Sequence, residues 1–147
     1  MPDDTFIIRI ESLAYGGKGV GRRADGKVVF IPLVLPGEIV RACRVREHPS
    51  YCEAYPEEIL QASESRTVPG CELFDACGGC DWQHIAYPEQ LKFKNDLLAR
   101  SFRKAITDDI TPSLSPPVEA QTTYAYRCHA RLQYRRTPQA VLGFYRK

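Results

Sequence analysis

The fold turns on the stretch "TFIIRIESLAYGGKGVGRRADGKVVFIPLVLPGEIVRACRVRE", Thr5 to Glu47. It opens on a short apolar strand, "TFIIRIESL". Gly16, Gly17, Gly19, Gly21 and Gly26 follow, too much glycine for a helix, and Asp25-Gly26 signals a tight turn. "KVVFIPLVLPGE" supplies a second strand, ended by Pro32 and Pro36. "EIVRACRVRE" and "YCEAYPEEIL" supply two more, joined across His48-Pro49-Ser50. Short strands with no helix between them predict a small barrel or half-open sandwich over residues 1–60. "GGKGVG" loosely resembles a phosphate-binding loop, but no buried parallel strand precedes it and no helix follows, so a nucleotide site is not expected. The turn is decorated by Tyr15, Lys18, Arg22 and Arg23. An aromatic beside cations on a small barrel suits base stacking and phosphate contact; a solvated hairpin with one packed tyrosine accounts for the same residues.

Beyond the barrel, "GCELFDACGGCDWQH" (Gly70–His84) sets Cys71, Cys77 and Cys80 on one short loop in residues 61–87. Ligands in one loop are brought together at low entropic cost, and thiolates bind soft metals. An iron–sulfur cluster needs four protein ligands, and the loop holds three cysteines. His84 would complete a local Cys₃His zinc site. Spacing alone does not choose between iron–sulfur and zinc. Cys43, Cys52 and Cys128 sit on expected strands without a partner motif, Cys128 on an apolar face as a small core residue.

From Pro88 the pattern changes. "PEQLKFKNDLLARSFRKA" has proline in its first turn, an early Glu89, and Arg100, Arg103 and Lys104 late, so a helix is expected over 88–106. Leu91, Leu98, Phe102 and Ala105 share a face, flanked by Phe93 and Leu97. Residues 107–120 hold three prolines and read as a linker. In 121–147, "YRCHARLQYRR" alternates, with Cys128, Ala130, Leu132 and Tyr134 on one side of an expected strand and Arg127, Arg131 and Arg135 on the other. Those arginines can follow a phosphate backbone, or they simply keep an exposed strand soluble. Thr137-Pro138-Gln139 is expected to turn the chain back into "AVLGFYRK".

The 147 residues carry a net charge of +2, unevenly spread: residues 119–147 hold six Lys/Arg against Glu119 alone. A basic end on a nearly neutral body points to an anionic partner. No apolar run approaches the roughly 20 residues that span a bilayer, and no signal peptide is evident. A cytoplasmic, monomeric protein with no membrane association is expected, in a compartment where clustered cysteines more often bind metal or do redox work than form disulfides.

"IRIESLAYGGKGVGR…GKVVFIPLVLPGEIVRA" resembles a TRAM domain, a small OB-like RNA-binding β-barrel. "CELFDACGGCDWQHIAYPEQLKFK" closely resembles the cluster-binding segment of the bacterial 23S rRNA uracil-5-methyltransferases, and "YAYRCHARLQY" resembles the strand that opens their central domain. There the family usually shows Tyr-Arg-Asn, and this chain has Tyr126-Arg127-Cys128. The resemblance implies a mainly β protein with one helix: a TRAM barrel, then an α+β cluster-binding and central-domain fragment. It implies a 4Fe–4S cluster on Cys71, Cys77, Cys80 and a fourth cysteine further along, a place Cys128 does not match. It also implies S-adenosylmethionine for the full-length enzyme only, with RNA, in particular 23S rRNA, as partner. The family's catalytic residues have no counterpart here, so this segment alone is expected to be inactive, and a longer protein is expected. Two other readings use the same residues: a stand-alone RNA-binding module with a Cys₃His zinc site, and a β-rich interaction module with incidental cysteines.

Overall fold

The computed structural model describes residues 5–102, 115–136 and 138–146. Strands β1 (Thr5–Leu13), β2 (Gly19–Arg22), β3 (Val28–Ile31), β4 (Ile39–Glu47) and β5 (Tyr51–Gln61) close into a barrel in the order β1-β2-β3-β5-β4. β1 pairs antiparallel with both β2 and β4, and a short parallel pairing of β3 with β5, Val29 opposite Cys52, completes the ring. Closure removes the open edges that a five-stranded sheet would otherwise present.

Successive side chains of a strand point to opposite faces, and the inward set is apolar. Ile8 and Ile10 of β1, Val29 and Ile31 of β3, Val40 and Ala42 of β4, and Cys52 and Ala54 of β5 form one buried core with Val34. Burying a valine, leucine or isoleucine side chain stabilises by about 1.5–3 kcal/mol, so this lumen is the main source of stability. β1 carries a bulge between Ile10 and Ser12 that sharpens its bend.

The glycine-rich stretch holds more than the turn expected of it: Gly19–Arg22 is a strand between two turns. Gly19 and Gly21 face the crowded lumen. A Cβ on Gly21 would lie 2.4 Å from the Arg9 carbonyl oxygen, and one on Gly19 would lie 2.3 Å from the Val34 side chain. Close approach of neighbouring strands, not flexibility, puts glycine here.

Residues 62–86 contain no regular strand or helix but have a tied neck. Arg66 bridges Ile85, the Thr67 amide donates to the His84 carbonyl (2.9 Å), and the Ala86 amide donates to the Ser65 carbonyl (2.8 Å). The cysteine-bearing stretch therefore leaves and returns at one place. Beneath the neck a small second core joins Leu13 and Leu35 of the barrel to Ile85, with Trp82 and Phe93 packed against it.

Helix α1 (Tyr87–Phe102) starts one residue before its expected first position and has Glu89 in the first turn and Arg100 in the last. Residues 103–114, which include Arg103, Lys104, Ala105 and most of the expected linker, lie outside the described residues. No residue of α1 is buried. The expected core face is corrected accordingly: Leu98 and Phe102 are 47% and 45% exposed, and Phe93 is the helical side chain that reaches a core. Gln90 fixes the helix start by donating to the carbonyls of Trp82 (3.0 Å) and Ile85 (2.9 Å).

The expected turn back near 137–139 is present as a hairpin of β6 (Gln133–Arg136) and β7 (Ala140–Gly143), with Arg136 opposite Ala140; residue 137 itself lies outside the described residues. The long basic strand is not. Residues 126–132 are irregular and exposed, and Cys128, expected in a core, is exposed with its sulfur 3.1 Å from His129 Nδ1. Alternation makes a strand only where one face has something to bury against, and the described residues offer this segment no such partner.

Candidate nucleic-acid interface and cysteine loop

The Ala14–Lys18 turn joins β1 to β2 and is closed by its own backbone, Ala14 N–H to Lys18 carbonyl (2.8 Å) and Gly17 N–H to Ala14 carbonyl (3.0 Å). Gly16 and Gly17 both sit at φ +87°, the left-handed region that favours glycine. Tyr15 stands at the tip, 92% exposed. The cations around it differ in their engagement. Lys18 Nζ contacts Glu53 (2.8 Å). Arg22, at the end of β2, donates to the Gly26 carbonyl (3.2 Å) and is exposed. Arg23 is held by Asp25 (2.5 Å) and Glu47 (3.3 Å). The hydrogen bond to Asp25 is the main cause of the raised pKa of Arg23, and the same bond lowers Asp25 to about 2. Glu47 is lowered to about 2, first by Lys27 and then by Arg23. Arg23 thus serves first to tie the β2–β3 turn to the end of β4, whereas Tyr15 and Arg22 face outward.

The three basic-strand arginines do not share a strand face: of them only Arg135 lies in β6, while Arg127 and Arg131 lie in the irregular chain before it. Arg127 sits over the Tyr126 ring, 5.8 Å from its centroid. All three are exposed, so their charge is presented as a patch rather than a row.

Sequence reasoning passed over two residues beside the turn. Trp82 lies against Gly17, where a Cβ would come within 2.3 Å of the indole Nε1. Lys94 Nζ lies 6.0 Å from the Trp82 ring centroid. The signal was present as the lone tryptophan two residues after Cys80, but its partner is 65 positions away in sequence.

The cysteine loop is bound to the barrel by a buried ion pair. Glu38 is fully buried and takes Arg66 Nε (2.6 Å) and NH2 (2.8 Å) on its two oxygens, together with the Leu35 (2.8 Å) and Ser63 (3.2 Å) amides. The same guanidinium donates to the Leu33 carbonyl at 2.8 Å. Burial opposes ionisation of Glu38, but the hydrogen bonds from Arg66, Leu35 and Ser63 outweigh it and hold the carboxyl below its ordinary value. With every oxygen satisfied, the charge is tolerated in the interior.

Cys71, Cys77 and Cys80 are free thiols, the first and last exposed. The Gly79 amide donates to Cys77 Sγ at 3.4 Å, the kind of amide–sulfur contact that tunes cluster thiolates. The Gly78 amide donates to the Tyr145 carbonyl (2.8 Å) and Cys77 pairs with Arg146, so the chain beyond β7 runs beside the loop. Among the described residues, no group of three or more His, Cys, Asp or Glu side chains is gathered for a metal. The donor chemistry therefore suits a soft metal, while the geometry is not preassembled. His84 is buried, its ring 5.5 Å from that of Phe74, and its carbonyl accepts from the Thr67 amide at the neck. Cys52 lies in the barrel core, where burial raises its thiol pKa and keeps it inert.

Residues 3–47 match the family of the TRAM domain. Four of the five barrel strands, β1 to β4, lie within the part that matches the TRAM domain. The barrel, the cysteine loop and the C-terminal segments are also similar, over almost the whole chain, to proteins named as RNA methyltransferases. A Bordetella avium protein named 23S rRNA (uracil(1939)-C(5))-methyltransferase RlmD is 38% identical over 147 residues, covering 96% of this chain and 30% of its own length. An uncharacterised RNA methyltransferase of Bacillus cereus is 33% identical over 144 residues, covering 97% of this chain and 31% of its own. One from Aquifex aeolicus is 33% identical, covering 99% and 33%. The chain thus spans about 30% of the length of these relatives. Among the described residues no helix is long and apolar enough to cross a membrane.

Proposed function

We propose that this chain is the RNA-recognition and iron–sulfur portion of an S-adenosylmethionine-dependent RNA uracil-5-methyltransferase acting on 23S rRNA. The observation that carries this reading is the continuity of the similarity: it runs through the TRAM barrel, the cysteine loop and the hairpin together, 96% of the chain, in a relative named for that activity. The TRAM barrel offers an RNA surface at Tyr15 and Arg22, and the exposed arginines of the C-terminal part extend the positive charge. Methyl transfer belongs to polypeptide outside these 147 residues, as do S-adenosylmethionine and the nucleophile.

Cys71, Cys77 and Cys80 would hold a 4Fe–4S cluster with a fourth cysteine from the same larger protein. The cluster supplies a covalent cross-link within the loop. Coordination and ordering are coupled in such sites, because ligands rarely hold their final geometry without the metal.

Anaerobically prepared or reconstituted protein is expected to be brown and to contain iron and sulfide, both lost in Cys77→Ser. A colourless protein with one zinc, released by His84→Ala, would instead establish the Cys₃His site. RNA binding is read separately. Affinity for a 23S rRNA fragment should fall with salt, and Arg22→Ala should weaken it and flatten the salt slope by about 1. Binding indifferent to both salt and Arg22 would remove the RNA assignment.

A further inference from the structure

Trp82 belongs to the cysteine segment, yet its indole edge supports the most exposed aromatic turn of the barrel. The residue is held from several directions. Its ring meets Phe93 edge-on (centroids 6.4 Å apart, planes at 78°). Its carbonyl takes the Ile85 amide (3.0 Å) and the Gln90 side chain (3.0 Å). It packs on the small core of Leu13, Leu35 and Ile85, which joins barrel to loop. Gly17 lies so close to Nε1 that no side chain fits between them. The Ala14–Lys18 turn is thus clamped by its own two hydrogen bonds and backed by a fixed indole. Tyr15, two residues away, is left with its ring almost wholly in solvent. A large aromatic on a rigid, backed turn has lost its freedom without gaining burial, which suits a surface made to stack on something planar.

Building on the RNA assignment, we infer that Trp82 is a positioning residue for RNA recognition. It fixes the turn so that Tyr15 presents its ring to an unstacked base, and Lys94, above the same indole, meets a neighbouring phosphate. The ligand class is single-stranded or looped RNA, since a base within a duplex has no free face for Tyr15.

The test is fluorescence anisotropy on the full chain with a labelled 23S rRNA stem–loop, alongside a fully paired duplex of equal length. Loss of base stacking in Tyr15→Ala should weaken stem–loop binding about ten-fold and leave duplex binding nearly unchanged. Trp82→Ala should cost a similar factor, and Trp82→Phe should restore part of it. Because Trp82 acts through Tyr15, the double variant should bind no more weakly than the weaker of the two single variants. Lys94→Ala should lower the salt slope by about 1. If Trp82→Ala loses the barrel fold by circular dichroism, Gly17→Ala replaces it, since a methyl there both strains the φ +87° backbone and meets the indole, so the turn must shift and binding must weaken by a comparable factor. Wild-type affinity in Trp82→Ala or Gly17→Ala, or full additivity with Tyr15→Ala, overturns the positioning role. Failure of the wild-type chain to bind either RNA overturns the RNA assignment and this inference with it.

Discussion

In the barrel, the inward side chains of β1, β3, β4 and β5 are buried in one continuous apolar lumen. Among the described residues after Gln61, Phe74 and Ile85 are buried, but many large apolar side chains face water: Leu73 is 67% exposed, Leu142 66% and Tyr145 69%, and α1 buries none of its residues. The two regions are therefore held by different forces. The barrel is held from within because four of its five strands bring apolar side chains to a shared interior, with the glycines of β2 making room for them. The segment after it is attached at a few points: the Glu38–Arg66 pair, the small core around Ile85, and the Gln90 contacts. A polar anchor and a few packed contacts can hold a shape that burial alone does not.

Removing equal bulk from each region tests this contrast most severely. Ile31→Ala, in the fully buried lumen, should cost about 2–5 kcal/mol in denaturant unfolding. Leu98→Ala, on the half-exposed side of α1, should stay within about 0.5 kcal/mol. Similar costs at the two sites would mean that the second region has a core of its own.

The anchor comes next. Glu38→Gln keeps the shape but leaves the mostly buried Arg66 guanidinium without a counter-charge, which should cost about 3 kcal/mol. Trp82, the single tryptophan, lies beside the anchored neck, so its fluorescence reports detachment directly. The pH dependence has a definite sign. The folded pKa of Glu38 lies below its unfolded value, so its contribution is complete above the ordinary glutamate range and is lost as pH falls through the lower folded value. Wild-type chain should show this acid-dependent shift in Trp82 emission and Glu38→Gln should not.

The smallest effect is expected at the barrel surface. Arg41 pairs with Glu58, but both side chains are about half exposed (47% and 54%). Arg41→Ala should change stability by less than about 1 kcal/mol, and salt should erase the difference. A larger effect would show that the barrel, too, depends on polar ties.

The order of residues along the chain was enough to specify four of the five barrel strands and the helix start. Period-two apolar residues, glycine and proline punctuation and clustered thiols are local signals that need no partner to be read. Packing in three dimensions settled what those signals were for. Gly19 and Gly21 are explained by strands crowding across the lumen, and Glu38 by Arg66, 28 residues on. Arg23 is bound into a surface network that its neighbours in sequence only half reveal. Of the alternating stretch from Arg127, only Gln133–Arg136 formed a strand; residues 127–132 did not join it, because a pattern of apolar side chains specifies a face, and only a neighbour gives that face somewhere to go.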